Sequence, residues 1–156
     1  MTQIQQVHAP TDDVRALIAE LDAELAGTYL PEQRHGLTLD AIFKPPVRFF
    51  VAHIDGEAVG CGGVACFDDF AELKRMYVRA GARGAGVADA IIERLQQEAL
   101  DAGLRVVRLE TGVHQPAAIG FYRRHGFMPC RAFEPYASLP PNAIKTSYFM
   151  EKTISA

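Results

Sequence analysis

Apolar residues recur every three or four positions in three stretches of the chain, and this spacing predicts helices. The predicted helices are residues 11–29, 86–103 and 116–125. Thr11 or Asp12 can cap the first helix through a side-chain oxygen, and Gly103 can end the second. Pro116 suits the first turn of the third helix, where its missing N–H costs nothing.

Runs of alternating or continuous apolar residues predict the strands of a sheet. The predicted strands are residues 3–9, 47–54, 57–67, 70–78, 106–113 and 146–154. Asp55-Gly56 between two of these runs is a hairpin signal, because both residues tolerate the turn conformation. Residues 30–46 contain Pro, Gly and short apolar steps, which predict a short helix or a loop and a candidate lid over the substrate.

The order of these elements is strand, helix, strand meander, helix, strand, helix and strand. This order is typical of a single α/β or α+β domain with a mixed sheet, and we expect one domain over residues 1–156.

Charge and apolar patterning exclude several classes of partner. The chain has 16 Lys and Arg against 19 Asp and Glu, a net charge of −3, and its basic residues are scattered. Counterion release from a nucleic acid needs clustered basic residues, so no nucleic-acid partner is expected. Residues 1–14 lack a basic region followed by an apolar run, and no long apolar stretch occurs, so we expect a cytoplasmic protein without a membrane partner.

The three cysteines do not indicate a metal or disulfide site. Cys61, Cys66 and Cys130 lack the close pairing of a zinc site or of a small disulfide framework. We expect buried thiols at Cys61 and Cys66, which lie in an apolar run, and no bound metal.

The stretch VRAGARGAGVADAIIERL, residues 78–95, predicts the end of a strand, a basic glycine-rich turn and a helix. Gly84 and Gly86 lack Cβ atoms, so a bulky anion can approach the backbone and the N–H groups at the helix start. The phosphate loop of NTPases does not fit, because Val87-Ala88 stand where Lys and Ser or Thr are required. The dinucleotide fingerprint fits poorly, because this turn follows a hairpin meander. The turn is therefore a candidate pyrophosphate cradle.

Two motifs resemble those of the GNAT superfamily of N-acetyltransferases. Arg83, Gly86 and Ala88 form the pattern Arg-x-x-Gly-x-Ala after a strand, similar to the acyl-CoA-binding motif of that superfamily. The stretch LETGVHQPAAIGFYRRHGF, residues 109–127, resembles its second motif. With the hairpin DGEAVGCGG and the terminal FMEK, the resemblance covers nearly the whole chain and points to a bacterial small-molecule branch.

The resemblance implies a mostly antiparallel central sheet flanked by helices, acetyl-CoA as cosubstrate, and transfer of an acetyl group to the primary amine of a small molecule in a ternary complex. It leaves a homodimer open as a partner. It also implies that the Tyr122 hydroxyl protonates the departing thiolate. The implied cofactor contacts are Met76, Tyr77, Val78, Arg83, Gly84, Ala85, Gly86, Val87, Ala88, Gln115 and Tyr122.

Two residues depart from the family pattern. Gln115 stands where many members have Asn, before the third helix. Asp89 places a negative charge near the expected diphosphate, so we expect its side chain to point to solvent.

Acetyl transfer also needs a base, because an alkyl amine is mostly protonated at neutral pH. Glu72 is the first candidate, as the base or as the anchor of a basic water, and Glu110 is the next. The histidines considered are His35, His114 and His125: His114 is a minor candidate for the base, and we expect His125 to interact with a helix C-terminus.

Residues 28–39 and 132–142 are the predicted walls of a small amine pocket, where Glu32, Glu134 and Tyr136 could meet a cationic substrate. Two alternatives keep the fold. One is an acyl-CoA-binding or sensing module without catalysis, and the other is an acetyltransferase for protein lysines or N-termini.

Overall fold

The computed structural model describes all 156 residues and contains one sheet of seven strands. The strands are β1 (Thr2–Val7), β2 (Val47–Ile54), β3 (Glu57–Cys66), β4 (Ala71–Val78), β5 (Val106–Gly112), β6 (Met128–Pro129) and β7 (Ser147–Thr153). Their spatial order is β1-β2-β3-β4-β5-β7-β6, and every neighbouring pair is antiparallel except β4 and β5. The predicted mixed, mostly antiparallel sheet is confirmed.

Four α-helices accompany the sheet: α1 (Asp12–Ala26), α2 (Val87–Asp101), α3 (Pro116–Arg124) and α4 (Pro141–Ile144). Thr11 caps α1, because its Oγ1 accepts a hydrogen bond of 3.3 Å from the N–H of Val14. Residues 30–46 form short 3₁₀ turns at Pro31–Gln33 and Ala41–Phe43 within a loop. The short α4 and β6 were not predicted from the sequence. No helix is both long enough and apolar enough to cross a bilayer.

The sheet buries both of its faces. Phe49 and Phe50 are neighbours on β2, so their side chains point to opposite sides; Phe49 packs with α1 and Phe50 with α2. Gly62 on β3 lets α2 come close, because a Cβ there would lie 2.8 Å from Cγ2 of Ile91. The two helices therefore enclose the strands that carry the site.

A β-bulge interrupts β4. The register with β3 shifts between Cys61 and Gly63, so Gly62 faces both Arg75 and Met76, and Arg75 has a positive φ of 54°. The bulge explains why apolar and polar residues alternate imperfectly along this strand.

β4 and β5 diverge before the bulge is reached. These strands pair only at Ala71 with Val107 and at Glu72 with Arg108. The edge of β4 that faces β5 is therefore unpaired from about Leu73 onward. This opening in the sheet leaves backbone groups available to a bound molecule.

Candidate active site

A cavity of about 510 Å³ lies between the diverging end of β4, the glycine-rich turn and α3. We call it the glycine-turn cavity. It is lined by every predicted cofactor residue except Ala85, and Ala82, Asp89, Ala117, Ala118, Phe121 and Arg124 complete it. The sequence motifs thus converge on one cleft.

The turn itself presents backbone donors to this cavity. Gly84 and Gly86 have positive φ values of 85° and 80°, and Gly86 is the residue before α2. None of the N–H groups of residues 84–88 donates a hydrogen bond within the chain. Several unpaired donors at the positive end of a helix dipole suit a diphosphate.

Charged side chains surround the same turn. Arg83 is half-exposed, and its guanidinium binds Glu24 at 3.0 Å and the carbonyl of Val78 at 2.9 Å. Arg124 supplies a second cation that the sequence motifs had not indicated. The Asp89 side chain is 58% exposed but also lines this cavity, so it is not turned wholly to solvent as predicted. Its carboxylate lies 2.7 Å from Nε2 of His125. His125 is at the C-terminus of α3, where a favourable interaction with the helix dipole was expected.

A second cavity, of about 150 Å³, lies beside the first. We call it the glutamate cavity, because Glu72 and Glu110 both line it. Four residues line both cavities and form what we call the junction: Met76, Gln115, Ala118 and Tyr122.

Glu72 is held in a buried polar network. The Tyr136 hydroxyl donates to its Oε2 at 2.6 Å, and Lys74 Nζ lies 2.8 Å from the same oxygen. Lys74 also donates to the Tyr136 hydroxyl at 3.0 Å. The other oxygen of Glu72, Oε1, is buried without a partner.

Glu110 occupies a different environment in the same cavity. Its Oε2 accepts one hydrogen bond of 2.7 Å from the Ser147 hydroxyl. Burial raises the pKa of Glu110 to about 7, the negative charge of Glu72 adds to the rise, and the Ser147 hydrogen bond and the Lys74 charge oppose it. This carboxyl therefore exchanges a proton near neutral pH.

Tyr122 on α3 joins the two cavities. Its ring packs edge-on against Phe121 and Phe127, with centroids 5.5 and 5.8 Å away. Its hydroxyl has no hydrogen-bond partner in the chain. Burial and the nearby Glu110 raise the pKa of Tyr122, so the hydroxyl stays protonated and can donate at the junction.

Tyr29 positions Gln115, a contact that sequence reasoning missed. The Tyr29 hydroxyl accepts from the N–H of His114 at 3.0 Å and donates to Oε1 of Gln115 at 3.4 Å. The amide group of Gln115 keeps its own donors for a ligand. The His114 side chain is exposed and lines neither cavity, whereas its backbone serves this contact.

The predicted walls of the amine pocket are only partly those that line the glutamate cavity. Tyr136 and residues 33–36 line the glutamate cavity, but Glu32 and Glu134 do not, and Glu134 instead accepts from Ser138 at 2.7 Å. His35 lines the cavity and donates through Nε2 to the carbonyl of Ala143 at 2.6 Å, just after the second predicted wall segment. Its ring packs edge-on against Tyr136, with centroids 5.6 Å apart, which joins the two predicted wall segments. Arg34 and Arg75, which had not been singled out, also line it.

A diverging sheet, a glycine-rich phosphate-type turn and a carboxylate cavity define an N-acyltransferase that uses an acyl-CoA. The model of the acetyltransferase (GNAT) family matches residues 15–127. The chain belongs to this family of acyltransferases.

Individual relatives agree with that assignment. The chain is 41% identical over 145 residues to an IAA acetyltransferase from Azospirillum brasilense, covering 92% of each protein. A Klebsiella pneumoniae structure assigned to the acyl-CoA N-acyltransferases is 35% identical, covers 99% of each chain and has a TM-score of 0.79. The PaiA N-acetyltransferase from Thermoplasma acidophilum, in complex with coenzyme A, shares the fold at 14% identity with a TM-score of 0.71 and 99% coverage of each chain.

Proposed function

We propose that the protein transfers an acetyl group from acetyl-CoA directly to the primary amine of a small molecule within a ternary complex. The observation that carries this proposal is the pair of cavities that share the junction. One is lined by unpaired backbone donors, and the other by two carboxylates. A donor and an acceptor bound there meet beside Tyr122.

The glycine-turn cavity suits coenzyme A. The N–H groups of residues 84–88 would bind the diphosphate, with Arg83 and Arg124 near its charge. The unpaired edge of β4 at Met76, Tyr77 and Val78 would bind the pantetheine arm and the thioester carbonyl, and Gln115 would add a donor. Bound there, acetyl-CoA supplies an electrophilic carbonyl carbon and a thiolate leaving group.

The largest chemical demand is deprotonation of the amine. An amine with a pKa of about 10.4 is neutral about once in 2,500 molecules at pH 7, which adds roughly 4.6 kcal/mol to the barrier. Glu110 meets this demand better than Glu72, because its pKa of about 7 lies at the working pH and its carboxylate has only one hydrogen bond. We therefore assign the base to Glu110. Glu72, bound to Lys74 and Tyr136, is assigned to positioning or to anchoring a water through Oε1.

In the transfer step, the amine nitrogen forms a bond to the acetyl carbon as the carbon–sulfur bond breaks. The protonated amine first loses one proton to the Glu110 carboxylate, and the attacking nitrogen loses its second proton to solvent as the amide forms. The Tyr122 hydroxyl donates to the departing sulfur and solvent restores the proton to the tyrosine, so one proton is released overall. Its raised pKa makes Tyr122 a weak acid, so its main contribution is a hydrogen bond to the developing thiolate.

Direct transfer is favoured over an acyl-enzyme route. No cysteine lines either cavity, and burial raises the pKa of Cys61 to about 12, so its thiolate is scarce at neutral pH. The size of the glutamate cavity, about 150 Å³, favours a small molecule over a protein tail.

An acetyl-CoA turnover screen tests the proposal. The panel should contain amino acids, polyamines, aminoglycosides and peptides, with coenzyme A release and the acetylated product both measured. We expect turnover with at least one small amine. Tight acetyl-CoA binding without any turnover would support a sensing module, and faster acetylation of a peptide than of every small amine would support a protein acetyltransferase.

A further inference from the structure

Two arginines in the wall of the glutamate cavity lack acceptors for part of their guanidinium groups. Nε of Arg34 and Nε of Arg75 are both buried, and neither donates a hydrogen bond. Buried arginine donors are normally satisfied, because the guanidinium stays charged. Two such donors in one cavity point to an acceptor that a ligand supplies.

The bulge in β4 brings Arg75 to this cavity. In a regular strand, consecutive side chains point to opposite faces of the sheet. Here Lys74 contacts Tyr136 and Arg75 contacts Asp22, while both line the glutamate cavity. The extra residue of the bulge thus places two cations side by side on one face.

The loop over the cavity is shaped around Arg75. A Cβ at Gly36 would lie 1.8 Å from Nη1 of Arg75, so only glycine leaves room for the guanidinium there. The Arg75 side chain is 4% exposed, and its ion-pair partner Asp22 is 55% exposed. The arginine is therefore held inside while its counter-ion lies largely in solvent.

The cavity lining has a net positive charge even when Glu110 is ionised, because it contains three cations, Arg34, Lys74 and Arg75, and two carboxylates, Glu72 and Glu110. Lys74 and Glu72 pair with each other. Arg34 has no ion pair, and the counter-ion of Arg75 is solvent-screened. Neither arginine lines the glycine-turn cavity, so both lie off the junction, where the reacting amine must be.

Given the proposed acetyl transfer, we propose that the acceptor is an amino acid whose carboxylate binds Arg34 and Arg75 while its amine lies at the junction. A guanidinium presents parallel donors that match the two oxygens of a carboxylate. The cavity volume suits a molecule of this size. Arg34 and Arg75 are thus the residues that select an anionic acceptor.

Matched acceptors test the inference. Each amino acid in the turnover screen is paired with its α-carboxamide, which keeps the amine and removes the negative charge. The amide has the less basic amine, so without a carboxylate site it should react at least as fast as the acid. We expect the acid to be preferred by about 10- to 100-fold in kcat/KM, the size of one or two charged hydrogen bonds. Equal or faster use of the amides would overturn the inference.

Variants locate the preference. Arg34→Gln should raise KM for the acid by about tenfold or more and leave the amide unchanged, since only the acid uses the guanidinium. Arg75→Lys, which keeps the charge of this buried site, should weaken the preference because the planar fork is lost. Arg131→Gln is the control, because Arg131 is exposed and lines neither cavity. Equal slowing of acid and amide by Arg34→Gln would contradict the assignment.

Calorimetry separates this inference from the proposed function. Each amino acid of the panel is titrated into protein saturated with coenzyme A. Binding by the wild type that Arg34→Gln weakens would support the carboxylate site even without acetyl transfer. Absence of binding by any amino acid of the panel would overturn it, whatever the fate of other amines.

Discussion

The glycine-turn cavity and the glutamate cavity recognise ligands by different means. The first offers unpaired backbone groups from one continuous run, residues 84–88, and from one strand edge, and residues of α3 complete it. The second is built from side chains of separate segments, among them Arg34, Glu72, Glu110 and Tyr136. Backbone donors survive most substitutions, whereas a side-chain wall changes with each one. The difference suits one cavity to a constant cosubstrate and the other to a particular acceptor.

The largest effect is expected from Gly86→Ile, which changes the backbone donors of the glycine-turn cavity. A β-branched residue resists the positive φ of 80° and fills the space over the helix N-terminus. We expect acetyl-CoA binding to fall below detection by calorimetry.

Gly103→Ile is the matched control for that change. Gly103 follows α2 with a φ of 82°, and a Cβ added there would meet no atom within 4 Å, so the backbone strain is similar. The control should lose stability but still bind acetyl-CoA. Unchanged affinity in a folded Gly86→Ile variant would remove the turn from the cofactor site.

The next effect is that of Glu110→Gln, which should reduce kcat/KM about 10²- to 10⁴-fold near neutral pH. The base must be ionised, and its pKa is raised to about 7, so wild-type activity should be present above pH 7 and fall as the pH drops below it. The variant should lack this inflection, and its deficit should shrink as the pH approaches the pKa of the amine.

Glu72→Gln is the matched change, because it also removes one carboxylate charge from the glutamate cavity. It acts on the network with Lys74 and Tyr136. We expect a smaller loss because Glu72 is assigned to positioning. The inflection should be retained but shifted below pH 7, because the negative charge of Glu72 contributes to the raised pKa of Glu110. If Glu72→Gln abolished the inflection and Glu110→Gln retained it, Glu72 would be the base, as the sequence first suggested.

A smaller effect is expected from Tyr122→Phe, which changes the junction alone. The ring can still pack against Phe121 and Phe127, so melting temperature and acetyl-CoA affinity should change little. Turnover should fall about 10- to 10³-fold, because a thiolate leaves tolerably without a strong donor.

Tyr148→Phe controls for the loss of a hydroxyl elsewhere. Tyr148 accepts from Arg123 at 2.8 Å and lines neither cavity, so its variant should keep full turnover. Full activity in a stable Tyr122→Phe variant would leave water as the donor to the sulfur.

The same contrast explains how far the sequence could be interpreted. The helices and the glycine turn follow from local spacing, so the apolar stripes and the run of residues 83–88 predicted them. Pairing of β5 with β7 joins residues about forty positions apart, as at Glu110 and Phe149. A local sequence pattern cannot predict such a pairing.

The side chains that line the glutamate cavity were harder to predict, for physical reasons. Arg75 breaks the alternation of its strand because of the bulge, so its face could not be inferred. Arg34 lies in a loop, where no periodicity applies. Glu72 and Glu110 were both recognised as carboxylates on strands, but the difference between their environments depends on Ser147, Lys74 and Tyr136, which the fold brings together.

The junction has a consequence for inhibitor design. Because Met76, Gln115, Ala118 and Tyr122 line both cavities, the sulfur position and the amine position are adjacent to the same four residues. A bisubstrate compound that joins the sulfur of coenzyme A to the acceptor nitrogen through a short linker would occupy both sites at once. The second half of such a compound binds at a high effective concentration, so its affinity should exceed that of either half alone.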